Sequence, residues 1–211
     1  MKKIFIQLMV VLVSGLLFTS CDADSSANVS QVTYYANLTM NGNALVVLTQ
    51  GQTYTENGVD AEADGKTLEV KIAGTVDTNK PGVYKLTYSA LNSDGFPASL
   101  VRTVVILSNQ PSTINLEGSF VRGANVNNVT KLEDRKYVCD NATGYNVAND
   151  NITLVFYNID DKQIYAPYTE NASKSGISAE SNVGTITDKN NWKWVIYASS
   201  VFGTAERIFK R

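Results

Sequence analysis

Histidine is absent from all 211 residues. Its absence excludes Ser-His-Asp and Cys-His nucleophilic catalysis, histidine-ligated zinc or haem, and imidazole-based pH switching. Carboxylate-pair chemistry is what remains for acid–base work. Cysteine occurs only at 21 and 139, too few for a disulfide framework or a thiolate metal site. Charge is sparse: Asp, Glu, Lys and Arg make up 18% of the chain, below the usual quarter or so. With 18 basic against 20 acidic residues the net charge is −2. No basic excess is available to neutralise a phosphate backbone, so no nucleic-acid partner is expected. Phosphate-cradling Gly-rich loops, a dinucleotide fingerprint and EF-hand spacing are missing too, and neither cofactor nor metal is expected. After residue 30 no segment sustains a helical period. What the chain does have is apolar residues, 44% of the total, enough for a packed core.

The one long apolar run is at the start. Met1-Lys2-Lys3 is basic, and Ile4 to Phe18 is apolar except at Gln7, Ser14 and Gly15. About fifteen apolar residues suit a signal-peptide core and fall short of the roughly 20 that span a bilayer. Leu17-Phe18-Thr19-Ser20-Cys21 resembles the lipobox of bacterial lipoproteins, with small residues before the cysteine and Phe18 in place of the preferred Leu. The resemblance implies cleavage after residue 20 and a diacylglycerol on Cys21. Several acyl chains on one residue anchor a protein stably, at about 0.8 kcal/mol per buried CH₂. Asp22-Ala23-Asp24 is similar to the acidic export signal of surface-displayed Bacteroidetes lipoproteins. Residues 21–30 then read as a lipidated cysteine followed by a flexible tether. Losing Lys2 and Lys3 leaves 16 basic against 20 acidic residues, a net charge of −4. With Cys21 acylated, Cys139 has no partner and is expected to be a small buried hydrophobe.

Downstream, the period is two. Leu68, Val70 and Ile72 alternate with polar residues, as do Tyr84, Leu86 and Tyr88. Leu45 to Leu48 and Leu100 to Leu107 add further strands, the latter interrupted by Arg102 and Thr103. Asn41-Gly42, Asn57-Gly58, Asp64-Gly65, Pro81-Gly82 and Asp94-Gly95 supply turn chemistry between them. Short strands separated by such turns predict an all-β chain beginning with a sandwich. Three segments, Glu56 to Ala61, Val76 to Tyr88 (with Pro81-Gly82-Val83-Tyr84) and Arg102-Thr103-Val104-Val105, resemble in order and spacing a bacterial surface Ig-like domain. The domain is assigned to 31–108. Residues 109–113 are polar and contain Pro111, and read as a linker.

Residues 114–211 predict a second β domain, a sandwich or a small barrel. Its strands are expected at 114–122, 136–140, 151–157, 163–166, 184–187, 192–198 and 205–209. The layout, with Leu116 to Arg122 and Tyr137 to Gly144, resembles small accessory lipoproteins of Sus-type outer-membrane transporters. That resemblance implies glycan or peptide capture at the cell surface, no catalysis, and a transporter and its binding lipoprotein as partners.

The candidate ligand contacts are aromatic. Trp192 and Trp194 share one face of a strand, with Ile196, and could be either stacking plates for a sugar or core. Tyr165 and Tyr168 flank Pro167, which places Tyr168 in a loop. Of the adjacent Tyr34 and Tyr35, one is expected to be core. The carboxylate pairs Asp160-Asp161 and Glu133-Asp134 read as solvated turns. Glu170 and Glu180 could each meet an Asp across a cleft, the arrangement a glycosidase needs. The expected function is nutrient binding or transporter assistance by a lipid-anchored, outward-facing outer-membrane protein that is not an enzyme. The alternatives are a spacer or adhesin subunit making protein contacts, and a carboxylate hydrolase.

Overall fold

The computed structural model describes residues 32–146, 150–198 and 202–211, which contain strands, turns and loops. The signal segment, Cys21 and the tether lie outside the described residues. The chain is all-β, as its periodicity requires.

The first domain holds β1 (Asn37–Met40), β2 (Leu45–Thr49), β3 (Val59–Ala63), β4 (Lys66–Thr67), β5 (Lys71–Ala73), β6 (Gly82–Leu91) and β7 (Pro97–Leu107). One sheet has the order β1-β3-β4 and the other β2-β7-β6-β5, with β2 parallel to β7 and the remaining pairs antiparallel. The run from Leu68 to Ile72 was expected to be one strand. The chain instead leaves β3's partner at Thr67 and joins β6 at Lys71, so two strands in different sheets replace it. Ile72 is consequently 54% exposed.

Leu86 and Tyr88 on β6 meet Val59, Leu38 and Leu100 in the sandwich interior. Arg102, expected as a polar interruption, is buried there instead. Its guanidinium pairs with Glu56, donates to the Tyr88 hydroxyl at 3.2 Å, and donates through Nε to the Asn43 carbonyl at 3.1 Å. A charge can sit inside a small sandwich only with this degree of pairing. β7 carries three consecutive buried residues, Val104, Val105 and Ile106. Both faces of this strand are covered, which replaces alternation by a continuous apolar run. Of these three, Val105 faces the second domain, against Tyr157, Ile159 and Tyr165.

The second domain comprises β8 (Gly118–Arg122), β9 (Asn125–Glu133), β10 (Lys136–Cys139), β11 (Leu154–Asn158), β12 (Gln163–Tyr165), β13 (Glu180–Ser181), β14 (Gly184–Asp188), β15 (Asn191–Trp194), β16 (Ile196–Tyr197) and β17 (Arg207–Lys210). Eight of these close a barrel in the order β10-β11-β12-β14-β15-β17-β8-β9, while β13 and β16 form a separate ribbon. Of the two architectures left open by the sequence, the barrel is realised. An eight-stranded barrel has an interior just wide enough for side chains to fill it. Here the filling is aromatic: the Trp192 ring stacks on Phe209 with centroids 4.2 Å apart, and Trp194 meets Trp192 edge-on at 4.7 Å. Phe156, Phe120 and Tyr137 complete the cluster. Gly184 lies against this core, where an added Cβ would come within 2.4 Å of the Lys193 carbonyl oxygen. Cys139 is fully buried, and burial pushes its thiol up to about 12.

The segment between the domains is pinned at both ends. The Ser108 N–H donates to the Ile159 carbonyl at 2.8 Å. Asp161 accepts from Ser112 Oγ at 2.6 Å and from the Thr113 N–H at 2.7 Å, and pairs with Arg135 at 2.9 Å. Arg135 in turn donates to the Gln110 carbonyl at 2.9 Å. Asp161 is therefore not the solvated turn residue expected of Asp160-Asp161. It is the acceptor that locks residues 110–113 to the barrel, and residues 35–211 form one compact unit.

Candidate functional site

Three of the four aromatic candidates are core. Trp192 and Trp194 are 1% exposed. β15 turns Trp192 and Trp194 into the barrel and leaves Lys193 on the outer face. The expectation that they form a sugar platform is corrected accordingly. Trp194 Nε1 is occupied within the protein, donating to the Ala142 carbonyl at 3.0 Å. Tyr165 is also buried, because the face of β12 that carries it packs against Val105 and the first domain's sheet. Tyr34 and Tyr35 are both exposed, so neither is core; Tyr35 rests against Phe96 at a centroid distance of 5.7 Å.

Tyr168 is the candidate that remains at the surface, 61% exposed. Pro167 ends β12 and the chain turns outward, as an interrupted strand must. The loop is held on both sides. The Ala166 N–H donates to Ser181 Oγ at 2.7 Å, and Thr169 exchanges backbone hydrogen bonds with Ala179 at 2.8 and 3.0 Å. Tyr168 thus projects from a fixed backbone.

It stands at the rim of a cleft of about 330 Å³ where the two domains meet, lined also by Leu45, Lys85, Thr103, Pro167 and Glu180. This is at the small end of ligand-binding clefts, which run from about 300 to 1,000 Å³. Lys85 Nζ pairs with Glu180 Oε2 at 3.3 Å across the junction. The Tyr165 hydroxyl lies beneath, donating to the same oxygen at 3.4 Å. Burial, and then the Glu180 charge, push the Tyr165 hydroxyl up to about 12, so it remains a donor. With half the Lys85 side chain exposed, the pair contributes little to stability, on the order of 0–1 kcal/mol. Its position makes it a polar contact surface. Glu180 faces a lysine here, not the Asp that a hydrolytic pair would require. An apolar wall, an exposed phenol ring and a neutralised ion pair can hold a polar ligand with some C–H surface.

Lys85, Thr103 and Leu45, on the first domain's outer face, are cleft residues that sequence reasoning missed. Domain apposition leaves no local signature in a sequence.

Comparison with known proteins matches residues 38–106 to the family described as bacterial surface protein, Ig-like domain. The matched residues are those of the β1–β7 sandwich, the stretch where the sequence resembles an Ig-like domain. No curated protein sequence matches the chain. Among solved structures, the chain is similar to the lipoprotein BT2262 from Bacteroides thetaiotaomicron, at 23% identity and a TM-score of 0.38, over 84% of this chain and all of that one. It is also similar to the M60 catalytic domain with the CBM51-1 and CBM51-2 domains of Clostridium perfringens ZmpB, at 12% identity and a TM-score of 0.31 over 84% of this chain and 21% of that one. A further likeness is to CBM51-2 in complex with GlcNAc and INT domains from the same protein, at 14% identity and a TM-score of 0.30 over 83% and 43%. All three likenesses are distant.

Proposed function

We propose that the protein is a lipid-anchored, outward-facing surface protein that captures an oligosaccharide or peptide in the cleft between its Ig-like domain and its barrel. The carrying observation is Tyr168, presented from a pinned loop above the Lys85–Glu180 pair at the domain junction. The match of residues 38–106 to a bacterial surface domain and the lipobox-like sequence ending at Cys21 support the location.

In this reading the lipid on Cys21 holds the molecule at the outer membrane, and the Ig-like domain carries the barrel outward. Confinement beside a Sus-type transporter and its binding lipoprotein would raise the local concentration of captured ligand. The protein acts by binding and not by turnover. The cleft presents a single carboxylate, Glu180, whereas glycoside hydrolysis uses two held about 5–10 Å apart.

Calorimetric titration of residues 22–211 against panels of oligosaccharides and short peptides tests the reading. Binding by the native chain, weakened at least tenfold in Tyr168→Ala at unchanged thermal stability, is the expected result. A panel in which no hit is weakened by Tyr168→Ala removes the cleft from the account. No binding to either panel returns the protein to a spacer or adhesin role.

A further inference from the structure

We propose that a second site, at the barrel end where β8 turns into β9, binds a sugar carboxylate through Arg122 and Tyr145. A hollow of about 410 Å³ opens there, lined by Arg122, Asn125, Tyr145, Glu206 and Ile208 around the turn at Gly123. It shares no residue with the cleft beside Tyr168 and does not depend on that reading.

The Arg122 side chain is built into position. Its guanidinium carbon lies 4.5 Å from the centre of the Tyr145 ring. Its stem crosses Gly144, where an added Cβ would be 2.5 Å from Arg122 Cδ. Gly144 has φ +65 and is held by the Asn125 amide, which donates to its carbonyl at 2.9 Å, and by its own N–H, which donates to Asn141 Oδ1 at 3.1 Å. A cation fixed on an aromatic face keeps its N–H edges free for a carboxylate, and the planar guanidinium fork suits two parallel hydrogen bonds to one.

The local charge balance calls for an anion. Among the described residues Arg122 makes no ion pair. Nearby Arg207 is 1% exposed, and its hydrogen bonds all go to backbone carbonyls, at Thr143 (3.1 Å), Ala205 (2.7 Å) and Gly203 (2.8 Å). Burial first, and the Arg122 charge second, depress the Arg207 pKa. Two guanidinium groups therefore feel each other, and among the described residues neither makes an ion pair. Glu206, the one acid lining the hollow, is already paired with Lys193 at 3.0 Å. Buried charges are normally compensated by a counter-charge, and Arg122, which lines the hollow, is the member of this pair that a ligand carboxylate can reach. Tyr145 and Ile208, both about half exposed, put apolar surface beside the fork. A uronic acid ring carries a C–H face and a carboxylate on one small body, and matches this pairing.

The test titrates the chain with galacturonate and glucuronate oligosaccharides, their carboxyl-reduced neutral counterparts, and a peptide with a free C-terminal carboxylate. A uronate should bind, its neutral counterpart should not, and affinity should fall as salt is raised. Arg122→Met should weaken binding at least tenfold. Arg122→Lys keeps the charge but loses the fork, and should also weaken it; this variant carries the test if the Met variant does not fold. Equal binding of neutral sugars, native affinity in Arg122→Lys, binding of the peptide but no uronate, or no binding at all would each overturn the proposal.

Discussion

Asp161→Ala should destabilise the protein by about 3 kcal/mol and uncouple its two domains. In the native chain the carboxylate accepts from Ser112 Oγ, the Thr113 N–H, Thr113 Oγ1, Asn158 Nδ2 and Arg135 Nη1, all within 2.6–2.9 Å. Removing it strands Arg135, whose side chain is only 4% exposed. Breaking one half of a buried pair costs about 3–5 kcal/mol. The low end applies because Asp161 is 18% exposed and Arg135 keeps its bonds to the Gln110 and Asn158 carbonyls. Three of the five lost bonds come from residues 112–113, so the connection between the domains loosens as well. Both tryptophans report on the barrel alone. Urea unfolding followed by tryptophan fluorescence and by far-ultraviolet circular dichroism should give coincident transitions in the native chain and separated ones in Asp161→Ala. Acid provides a second arm. Burial alone would raise the Asp161 pKa, but hydrogen bonds from Ser112, Thr113 and Asn158 outweigh it and hold it near 2, down from 3.8. A depressed folded-state value means the stabilisation is complete above about pH 4 and fades as pH falls towards 2. Linkage sets its size at about 2 kcal/mol, nearer 1 after solvent screening. A loss below about 1 kcal/mol in Asp161→Ala, with coincident transitions, would refute the clamp.

Trp194→Ala should cost about 3–5 kcal/mol by opening a cavity beside Trp192 and Phe156, measured by denaturant midpoint; a cost below about 1 kcal/mol would contradict its place in the core. Cys139, with its thiol pushed up to about 12 by burial, should resist an aromatic disulfide reagent at pH 8 until the protein is unfolded, and prompt reaction of the native chain would count against the packing. Cys21→Ala should abolish incorporation of labelled palmitate and release the protein from the membrane fraction; retention of both would remove the lipid anchor from the account.

The fold was legible wherever one face of a strand is dry and the other wet. β6 and β15 alternate cleanly, and their inward residues, Leu86, Tyr88, Trp192 and Trp194, are the buried ones. β9 left no such trace. Asn125, Asn127 and Asn128 are poor strand formers on propensity, and Asn127 is nonetheless fully buried because barrel closure demands a strand between β8 and β10. Leu68 to Ile72 misled for the opposite reason: a good alternation was divided between two sheets. At the site, Pro167 was enough to foresee that Tyr168 leaves the sheet. The burial of Tyr165 depends on Val105, 60 residues upstream, and on the domain contact they share. Arg102 and Asp161 show the same dependence, since a charged residue announces neither its burial nor its distant partners.

The central claim, capture at the domain junction, is tested most directly by amide chemical-shift mapping with a ligand from the binding panels. The account predicts perturbations concentrated at Ala44, Lys85, Thr103, Tyr168 and Glu180, and their loss in Tyr168→Ala. Saturable binding with no perturbation at these residues in the native chain would contradict it.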